Sequence, residues 1–438
     1  MRVLILTPQF PYPPHQGTSI RNCNLIRQLA VRHEIHLLSF IEGPGRVEVA
    51  PLRAHCAAIC AMAVPRRSRL DRARGTLLSP LPDMALRLES KAMHQQLDEL
   101  LHRTCYDVIQ IEGLEMGPYL LQISNLTWSA ALSRSRLPSG RGRKARGASK
   151  PPIPNGHRPL LVFDDHNSEY MLQRRAFETD VRQRERWIGA LYSLIQWKKL
   201  ARYERRCCQA ADRVTVVSEV DRRALEGLVP GMEATVVSNG VDIAAYDPQA
   251  VEHIDLGSAA ILFTGKMDFR PNVDGVLWFA RQVLPLVLAE MPKAHFYIVG
   301  QRPHRRLRAL RGRAAVTVTG FVPHIQPYIA GAAAYVVPLR MGGGTRLKIL
   351  EAMALGKAVV STSLGCEGFP LMRAGEHLLV ADDAVAFAQA VVALLSDPSR
   401  RQALGRAARD LVTRWYDWAV IAPRLEAVYS TLRMTRFG

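Results

Sequence analysis

The segment 338–353 combines a run of glycines with basic residues at a spacing that suits phosphate binding. A strand-like stretch ends in Gly342-Gly343-Gly344, and a helix is expected to start near Thr345. Glycines allow the backbone to approach a ligand closely, and the free N–H groups of a helix start present a positive dipole end to an anion. Arg346 and Lys348 add cationic donors beside that end. Together these groups could hold a diphosphate.

Glu351 follows one to two turns later, where its carboxylate could accept hydrogen bonds from two sugar hydroxyls. The same stretch is also compatible with a helix C-cap glycine run followed by an amphipathic helix whose basic residues are only solvated. Local sequence leaves both interpretations open.

Elsewhere, no G-x-G-x-x-G follows the first strand, which disfavours a dinucleotide site. Gly265-Lys266 and Gly356-Lys357 lack the rest of a phosphate-loop motif.

Metal-binding patterns are weak in this chain. His33-Glu34-Ile35-His36 is one residue short of the zinc-protease spacing. Asp164-Asp165-His166 places three ligand types side by side, but neighbouring residues of a strand point to opposite faces. The seven cysteines form no C-x-x-C pair, which argues against a zinc site or a disulfide framework and is typical of a reducing cytoplasm. We therefore expect a cytoplasmic protein with no metal site and no cofactor.

The composition is that of a folded globular protein with an excess of positive charge. The length of 438 residues is enough for two domains. Hydrophobic residues make up 48% of the chain, and its formal net charge is +19. Nucleic acid, anionic lipid and phosphorylated small molecules are the partners that such a charge suggests. Part of the excess lies in residues 129–159, which we interpret as a mobile basic insertion that is either only solvated or in contact with phosphate-rich surfaces. Interleaved exposed aromatics are lacking, so nucleic acid is not expected.

The elements that must position these residues alternate between strand and helix along nearly the whole chain. This pattern predicts α/β domains with doubly wound, Rossmann-like parallel sheets, whose ligands gather at the carboxyl ends of the strands in a cleft between the domains. A long helix is expected over 182–209, with its aromatics in the core, and an interdomain linker over 248–257. The strand candidates are 2–7, 35–40, 107–112, 160–164 and 213–218, then 259–265, 295–300, 316–321, 335–338 and 358–361.

Five landmarks in order along the chain carry a resemblance to a known family. The glycine run and its continuation to Thr362 resemble the donor segment of the family-4 retaining glycosyltransferases of GT-B fold, also called glycosyl transferases group 1. The other landmarks are 11–21 around Gly17, 165–170, 238–242, and 265–268 with Pro271-Asn272. The greatest similarity is to bacterial exopolysaccharide and exosortase-associated sugar transferases. The resemblance implies an N-terminal domain over 1–247, a nucleotide-sugar domain over 258–414, and a final helix, 415–438, that crosses back to the first domain.

The resemblance also implies roles for particular residues. Lys266, Lys348 and His166 are expected at the reaction centre, with the histidine contacting the transferred sugar, although a lone histidine at a strand end can be structural. Arg21 and Glu169 are assigned to the acceptor side, and Glu169 could equally cap the next helix. The residues expected to bind the donor are Gly17, Arg270, Gly342, Gly343, Gly344, Thr345, Arg346, Glu351 and Glu367.

Two positions depart from the family pattern. The family has a pair of glutamates with seven residues between them, but position 343 is glycine here, so only Glu351 remains, which is expected to hold the ribose. The family also has Arg and Lys six residues apart in the first donor loop, where this chain has Lys266 and Asn272. Arg270, Arg346 and Lys348 are the candidates to supply the missing charge.

The expected activity is transfer of a hexosyl unit from a UDP- or GDP-sugar to a hydroxyl of a lipid-linked glycan, in exopolysaccharide or cell-surface polysaccharide synthesis. The resemblance implies that anomeric configuration is retained and that no metal is needed. An anionic membrane surface is a further expected partner, which would make the protein peripheral to the membrane. The alternatives are a nucleotide-sugar epimerase of the same fold and a non-catalytic sugar-nucleotide-binding protein.

Overall fold

The computed structural model describes residues 1–41, 50–126, 158–181, 187–310 and 312–436. Apart from its last two residues, the predicted basic insertion, 129–159, lies outside these ranges. The chain divides into two compact units. The first contains Met1–Val216, Arg222–Thr235 and Leu425–Gly438, and the second contains Val217–Asp221 and Val236–Arg424. The predicted linker, 248–257, has no helix or strand and falls within the second unit.

The first unit is built on a seven-stranded sheet in the order β3-β2-β1-β4-β5-β6-β7. Most of its strands are buried on both faces, which explains their continuous Val, Ile and Leu runs. β1 pairs in parallel with both β2 and β4, so the strand order reverses at β1. The strands are β1 (Arg2–Thr7), β2 (Glu34–Ile41), β3 (Ala58–Ala63), β4 (Val108–Glu112), β5 (Leu160–Asp165), β6 (Arg213–Val216) and β7 (Ala234–Val236).

The second unit repeats this plan with a six-stranded sheet in the order β10-β9-β8-β11-β12-β13. Here β8 pairs in parallel with β9 and β11, so the order reverses at β8. Both sheets therefore have the doubly wound order in which strands are added first on one side and then on the other. The strands are β8 (Ala260–Thr264), β9 (His295–Val299), β10 (Val316–Gly320), β11 (Ala334–Val337), β12 (Val359–Ser361) and β13 (Leu379–Val380).

Helices connect the strands and cover the sheets. Those of the N-terminal half are α1 (Gly17–Leu29), α2 (Ala50–Arg53), α3 (Arg69–Leu78), α4 (Asp83–Arg87), α5 (Lys91–Arg103), α6 (Gly117–Ser124), α7 (Glu169–Val181), α8 (Trp187–Ala210) and α9 (Glu219–Leu228). The later helices are α10 (Arg270–Trp278), α11 (Leu284–Glu290), α12 (Gln326–Gly331), α13 (Leu347–Ala354), α14 (Ala384–Ser396), α15 (Pro398–Trp415) and α16 (Trp418–Arg436). Within the described ranges, none of the helices is both long and apolar enough to span a bilayer.

The core of the second unit supports the loops that leave its strands. Its centre is a set of rings between the sheet and two helices, in which Phe279 lies 4.4 Å from Phe296 and 5.9 Å from Phe387 between ring centroids. Each buried aromatic side chain of this kind contributes about 2–3 kcal/mol relative to an exposed one. This packing holds the strands of the sheet in place. The loops that follow the strands therefore start from fixed positions.

Candidate functional site

In each sheet the strand order reverses next to the first strand of the unit, between β1 and β4 and between β8 and β11. Ligands of doubly wound sheets bind outside the carboxyl ends of the strands at such a reversal. In the second unit the segments leaving this point are Gly265 to Phe269 after β8 and Pro338 to Arg346 after β11. Both are segments that the sequence assigns to the donor.

The glycine turn after β11 depends on backbone conformations that favour glycine. Gly342 has φ +104° and Gly344 has φ +74°, both in the left-handed region. A Cβ on Gly342 would lie 2.9 Å from the Arg346 guanidinium and 3.2 Å from Pro271 at the start of α10. The turn thus lies close against both groups. Helix α13 begins at Leu347, two residues later than the sequence predicts.

The Lys348 ammonium lies where the loops after β8 and β11 meet. It donates hydrogen bonds to the Thr264 carbonyl (2.7 Å) and to Asn272 Oδ1 (3.1 Å), and it is 4.0 Å from the centroid of the Phe263 ring. Burial, together with the Arg346 charge, lowers the pKa of Lys348 to about 7, against the opposing effect of Glu351. Both hydrogen-bond acceptors are neutral oxygens, and among the described residues no carboxylate forms an ion pair with this ammonium.

Asn272 links Lys348 to the first donor loop. Its amide nitrogen donates to the Lys266 carbonyl (2.9 Å), while its amide oxygen accepts from Lys348. Lys348, one of the three cations that the sequence offers in place of a lysine at position 272, contacts that position. Arg270, the first residue of α10, is exposed. The Lys266 ammonium is 3.8 Å from Asp268.

Glu351 lies one turn into α13 and is buried. Its carboxylate is hydrogen-bonded to the Tyr246 hydroxyl. Burial raises the pKa of Glu351 above its ordinary value, although the bond to Tyr246 and the Lys348 charge act in the opposite direction. The acid predicted to hold the ribose is thus already oriented by a tyrosine that the sequence analysis missed.

Glu367 lies in the turn that follows β12. That turn lies next to the glycine turn, as its neighbour Gly368 shows. A Cβ on the neighbouring Gly368 would lie 3.0 Å from Thr345 Cγ2, so the backbone of this turn lies against Thr345. The Thr345 hydroxyl in turn accepts a hydrogen bond from Asn239. The structure therefore groups most of the predicted donor residues of the second unit around one turn.

In the first unit, His166 follows β5 and is paired with a carboxylate from the neighbouring strand. Its Nε2 is 2.6 Å from Glu112 Oε2 at the end of β4. Burial acts to lower the pKa of His166, but the hydrogen bond and charge of Glu112, with the charge of Asp164, outweigh it and leave the pKa raised. The pairing with Glu112 therefore favours the charged form of the imidazole.

Asp164, on the same side of β5 as His166, binds Arg21 of α1. The guanidinium donates to Asp164 Oδ2 from Nε (3.0 Å) and Nη2 (2.7 Å), and both side chains are almost fully buried. Thr215 donates to the other carboxylate oxygen (2.9 Å). Arg21, assigned to the acceptor side from the sequence, lies here as a structural partner of the cluster.

Within the described ranges, the ligand atoms of Glu112, Asp164 and His166 lie within 4.8 Å of one another, close enough for a metal ion. Each carboxylate already has a donor, because Arg21 binds Asp164 and the imidazole binds Glu112. The four groups form two ion pairs and balance each other's charge. This arrangement fits a histidine-orienting network better than a cation site.

Glu169 and Gly17 each begin a helix of the first unit. Glu169 is the first residue of α7, but the buried Glu204 caps that helix, accepting from the backbone N–H groups of Glu169 (2.9 Å) and Tyr170 (3.0 Å). Burial, joined by the charges of Glu115 and Glu204, raises the pKa of Glu169 to about 8. Gly17 is the exposed first residue of α1.

Part of the second unit is similar to a known protein family. Residues 258–397 match the family model described as Glycosyl transferases group 1. The phosphatidyl-myo-inositol mannosyltransferase of Mycobacterium leprae is 34% identical over 233 residues, which are 49% of this chain and 58% of that protein. The chain thus spans about half the length of the curated relatives it matches.

Solved structures resemble the whole chain in fold. Sucrose-phosphate synthase from Thermosynechococcus elongatus superposes with a TM-score of 0.67 at 18% identity, covering 99% of this chain and 100% of that one. Anabaena HepE, in complex with UDP and glucose, has a TM-score of 0.63 at 14% identity and covers 98% and 100%. At these identities the likeness shows the fold alone, which is the predicted GT-B fold.

Proposed function

We propose that this chain, whose residues 258–397 belong to the glycosyl transferases group 1, moves a hexosyl unit from a UDP- or GDP-sugar to a hydroxyl of a glycan. Anomeric configuration is retained in this proposal, and no metal ion takes part. The acceptor is lipid-linked, and the product belongs to an exopolysaccharide or another cell-surface polysaccharide. The reaction takes place on the cytoplasmic side, with the protein peripheral to the membrane. The mannosyltransferase relative, named for phosphatidyl-myo-inositol, supports a lipid acceptor.

The observation that carries the proposal is the state of Lys348. A cation that is surrounded by neutral acceptors and has a pKa of about 7 gains strongly from a ligand with negative charge. A departing nucleoside diphosphate supplies that charge, and the charge grows as the bond to the sugar breaks. Preorganised donors aimed at developing charge contribute several kcal/mol to catalysis. This role belongs to Lys348, Lys266, Arg346 and the glycine turn. These groups stabilise the negative charge that a metal ion would otherwise stabilise.

The sugar and nucleoside are held by the remaining groups. Glu351, fixed by Tyr246, binds the ribose, and Glu367 supports the sugar ring in place of the acid absent at position 343. His166, oriented by Glu112, which favours its charged form, donates to a hydroxyl of the transferred sugar. The HepE complex with UDP and glucose supports a nucleotide-sugar as the donor class.

A two-stage experiment tests the proposal. Thermal-shift screening with UDP, GDP and ADP identifies the nucleotide, because ligands that bind the native state raise its melting temperature. The protein is then incubated with the matching labelled UDP-glucose or GDP-mannose, a polyprenyl-diphosphate-linked sugar and EDTA. We expect labelled lipid whose anomeric coupling constant matches that of the donor. Inverted configuration, or activity lost in EDTA and restored by Mg²⁺, contradicts the corresponding part of the proposal.

Variants separate transfer from the alternatives. Lys348→Met should remove turnover, whereas Lys293→Met, which removes an exposed lysine of the same unit, should leave it unchanged. Label recovered only as an epimerised nucleotide-sugar would show an epimerase. Nucleotide binding without any labelled product, with all donors tried, would show a binding protein.

A further inference from the structure

Two helices of the first unit expose apolar side chains that the proposed site does not use. On α3, Leu70, Leu77 and Leu78 are 73%, 74% and 80% exposed. At the start of α8, Trp187 is 65% and Leu191 is 52% exposed. The sequence analysis expected the aromatics of this long helix in the core, and for Trp187 that expectation is wrong. Residues this apolar are costly to leave in water, so their grouping indicates a partner.

Helices α3 and α8 are in direct contact, which places their exposed residues on neighbouring parts of the first unit. The Lys199 ammonium donates to the carbonyls of Thr76 (2.7 Å) and Ser79 (2.6 Å), which fixes the end of α3 against α8. Just beyond α3, the backbone N–H of Asp83 donates to Gln196 (2.9 Å). Further toward the start of α8, the Tyr192 phenol is close enough to Arg72 for their charges to interact.

The same surface is strongly basic. Residues 66–78 contain five arginines and one aspartate, a net charge of 5 − 1 = +4. Arg66, Arg72 and Arg74 are exposed, and Arg74 lies three or four residues from each of the exposed leucines of α3. Arginine beside leucine, with tryptophan and tyrosine at the edge, is the composition of helices that lie in the headgroup region of a membrane.

We propose that α3 and the start of α8 form a docking surface for an anionic lipid bilayer. The leucines and Trp187 enter the boundary between headgroups and acyl chains, and the arginines bind lipid phosphates. An anionic bilayer fits this surface because it offers both a large apolar volume and a dense negative charge to a chain with a net charge of +19. The surface rests on the proposed function in one respect: it would bring the first unit to a lipid-linked acceptor.

Vesicle sedimentation tests the surface. The full chain is mixed with vesicles of 30% phosphatidylglycerol in phosphatidylcholine, or of phosphatidylcholine alone, in 0.1 M NaCl. We expect binding to the anionic vesicles and little to the neutral ones. Arg72→Gln/Arg74→Gln should weaken binding about 25-fold, fivefold for each arginine. Leu77→Gln/Leu78→Gln should weaken it about tenfold or more.

Matched variants control for charge and for exposed apolar area. Arg305→Gln/Arg306→Gln removes the same charge from the second unit, and Val31→Gln/Val385→Gln removes two exposed apolar side chains elsewhere. Both should change binding less than twofold. Thermal unfolding of each variant verifies the fold, since changes at exposed positions shift stability little.

Three results would overturn the proposal: no binding of the unaltered chain to anionic vesicles, binding that survives both test variants, or loss that is equal in the control variants. A dimer detected by light scattering and abolished by Leu77→Gln/Leu78→Gln, without vesicle binding, would assign the surface to a second copy of this chain instead.

Vesicle binding needs no sugar donor. A chain that transfers sugar but ignores vesicles therefore refutes the surface alone, and one that binds vesicles through α3 but transfers nothing refutes the transferase.

Discussion

Binding of a nucleoside diphosphate should transfer a proton from solution to Lys348. In the free protein its pKa is about 7, so at pH 8 about nine tenths of the molecules have a neutral amine at this position. A diphosphate placed against the amine stabilises the ammonium and moves the pKa far above 8. Each bound UDP should therefore take up about 0.9 proton at pH 8.

The same pKa sets how affinity varies with pH. If only the charged form binds well, the apparent Kd equals the intrinsic Kd divided by the charged fraction. That fraction is about one half at pH 7 and about one hundredth at pH 9, so UDP should bind about 50-fold more weakly at pH 9. Isothermal titration calorimetry in two buffers of different ionisation enthalpy measures both the proton uptake and the Kd.

The variant Lys348→Arg provides the control. A guanidinium remains charged throughout this pH range, so the variant should bind UDP without proton uptake and with a nearly constant Kd between pH 7 and pH 9. Proton uptake near zero in the unaltered chain, with a flat pH dependence, would refute the reasoning, because the ammonium would then be charged before the ligand arrives.

Two further predictions concern neighbouring groups. Glu112→Gln removes the carboxylate that raises the pKa of His166, so the imidazole should titrate at lower pH; NMR of its ring proton measures this, and an unchanged titration would contradict the pairing. Gly265→Ala would place a Cβ 2.6 Å from the Lys348 ammonium and should weaken UDP binding at least about tenfold, about 1.4 kcal/mol. Gly257→Ala, at a glycine with positive φ and nothing within 4 Å of the added carbon, controls for backbone strain and should leave UDP affinity unchanged.

Most strands could be predicted closely, because strands that are buried on both faces are continuous runs of Val, Ile and Leu. The prediction of 2–7 agrees with β1 at both ends, and 160–164 differs from β5 by one residue. The three strands that were missed lack this signal. β3 is rich in alanine and only partly buried, while β7 and β13 have three and two residues. Such segments pair because the neighbouring strand is already in place, which local sequence does not encode.

The side-chain partners of the site were much less predictable. Alternation along β5 correctly separates Asp165 from its two neighbours, but the third member of the cluster, Glu112, comes from β4. Its proximity follows from the register in which Glu112 pairs with Asp164, and a register requires the folded sheet. The bond between Lys348 and Asn272 likewise joins residues 76 positions apart. The sequence identified chain segments that the structure brings together but could not show which atoms within them are already paired.

Arg21 and Lys348 show how a structural charge differs from one that the proposed donor would use. Arg21 has a resident anion, because Asp164 binds it through two hydrogen bonds, and removing a partner from such a buried pair costs about 3–5 kcal/mol. Lys348 is buried as well, but its hydrogen-bond acceptors are a carbonyl and an amide, so the protein offsets the cost of its charge by lowering its pKa. Because both acceptors are neutral, an anionic ligand would stabilise the charge of Lys348, which supports the proposed donor site at this point of the second sheet.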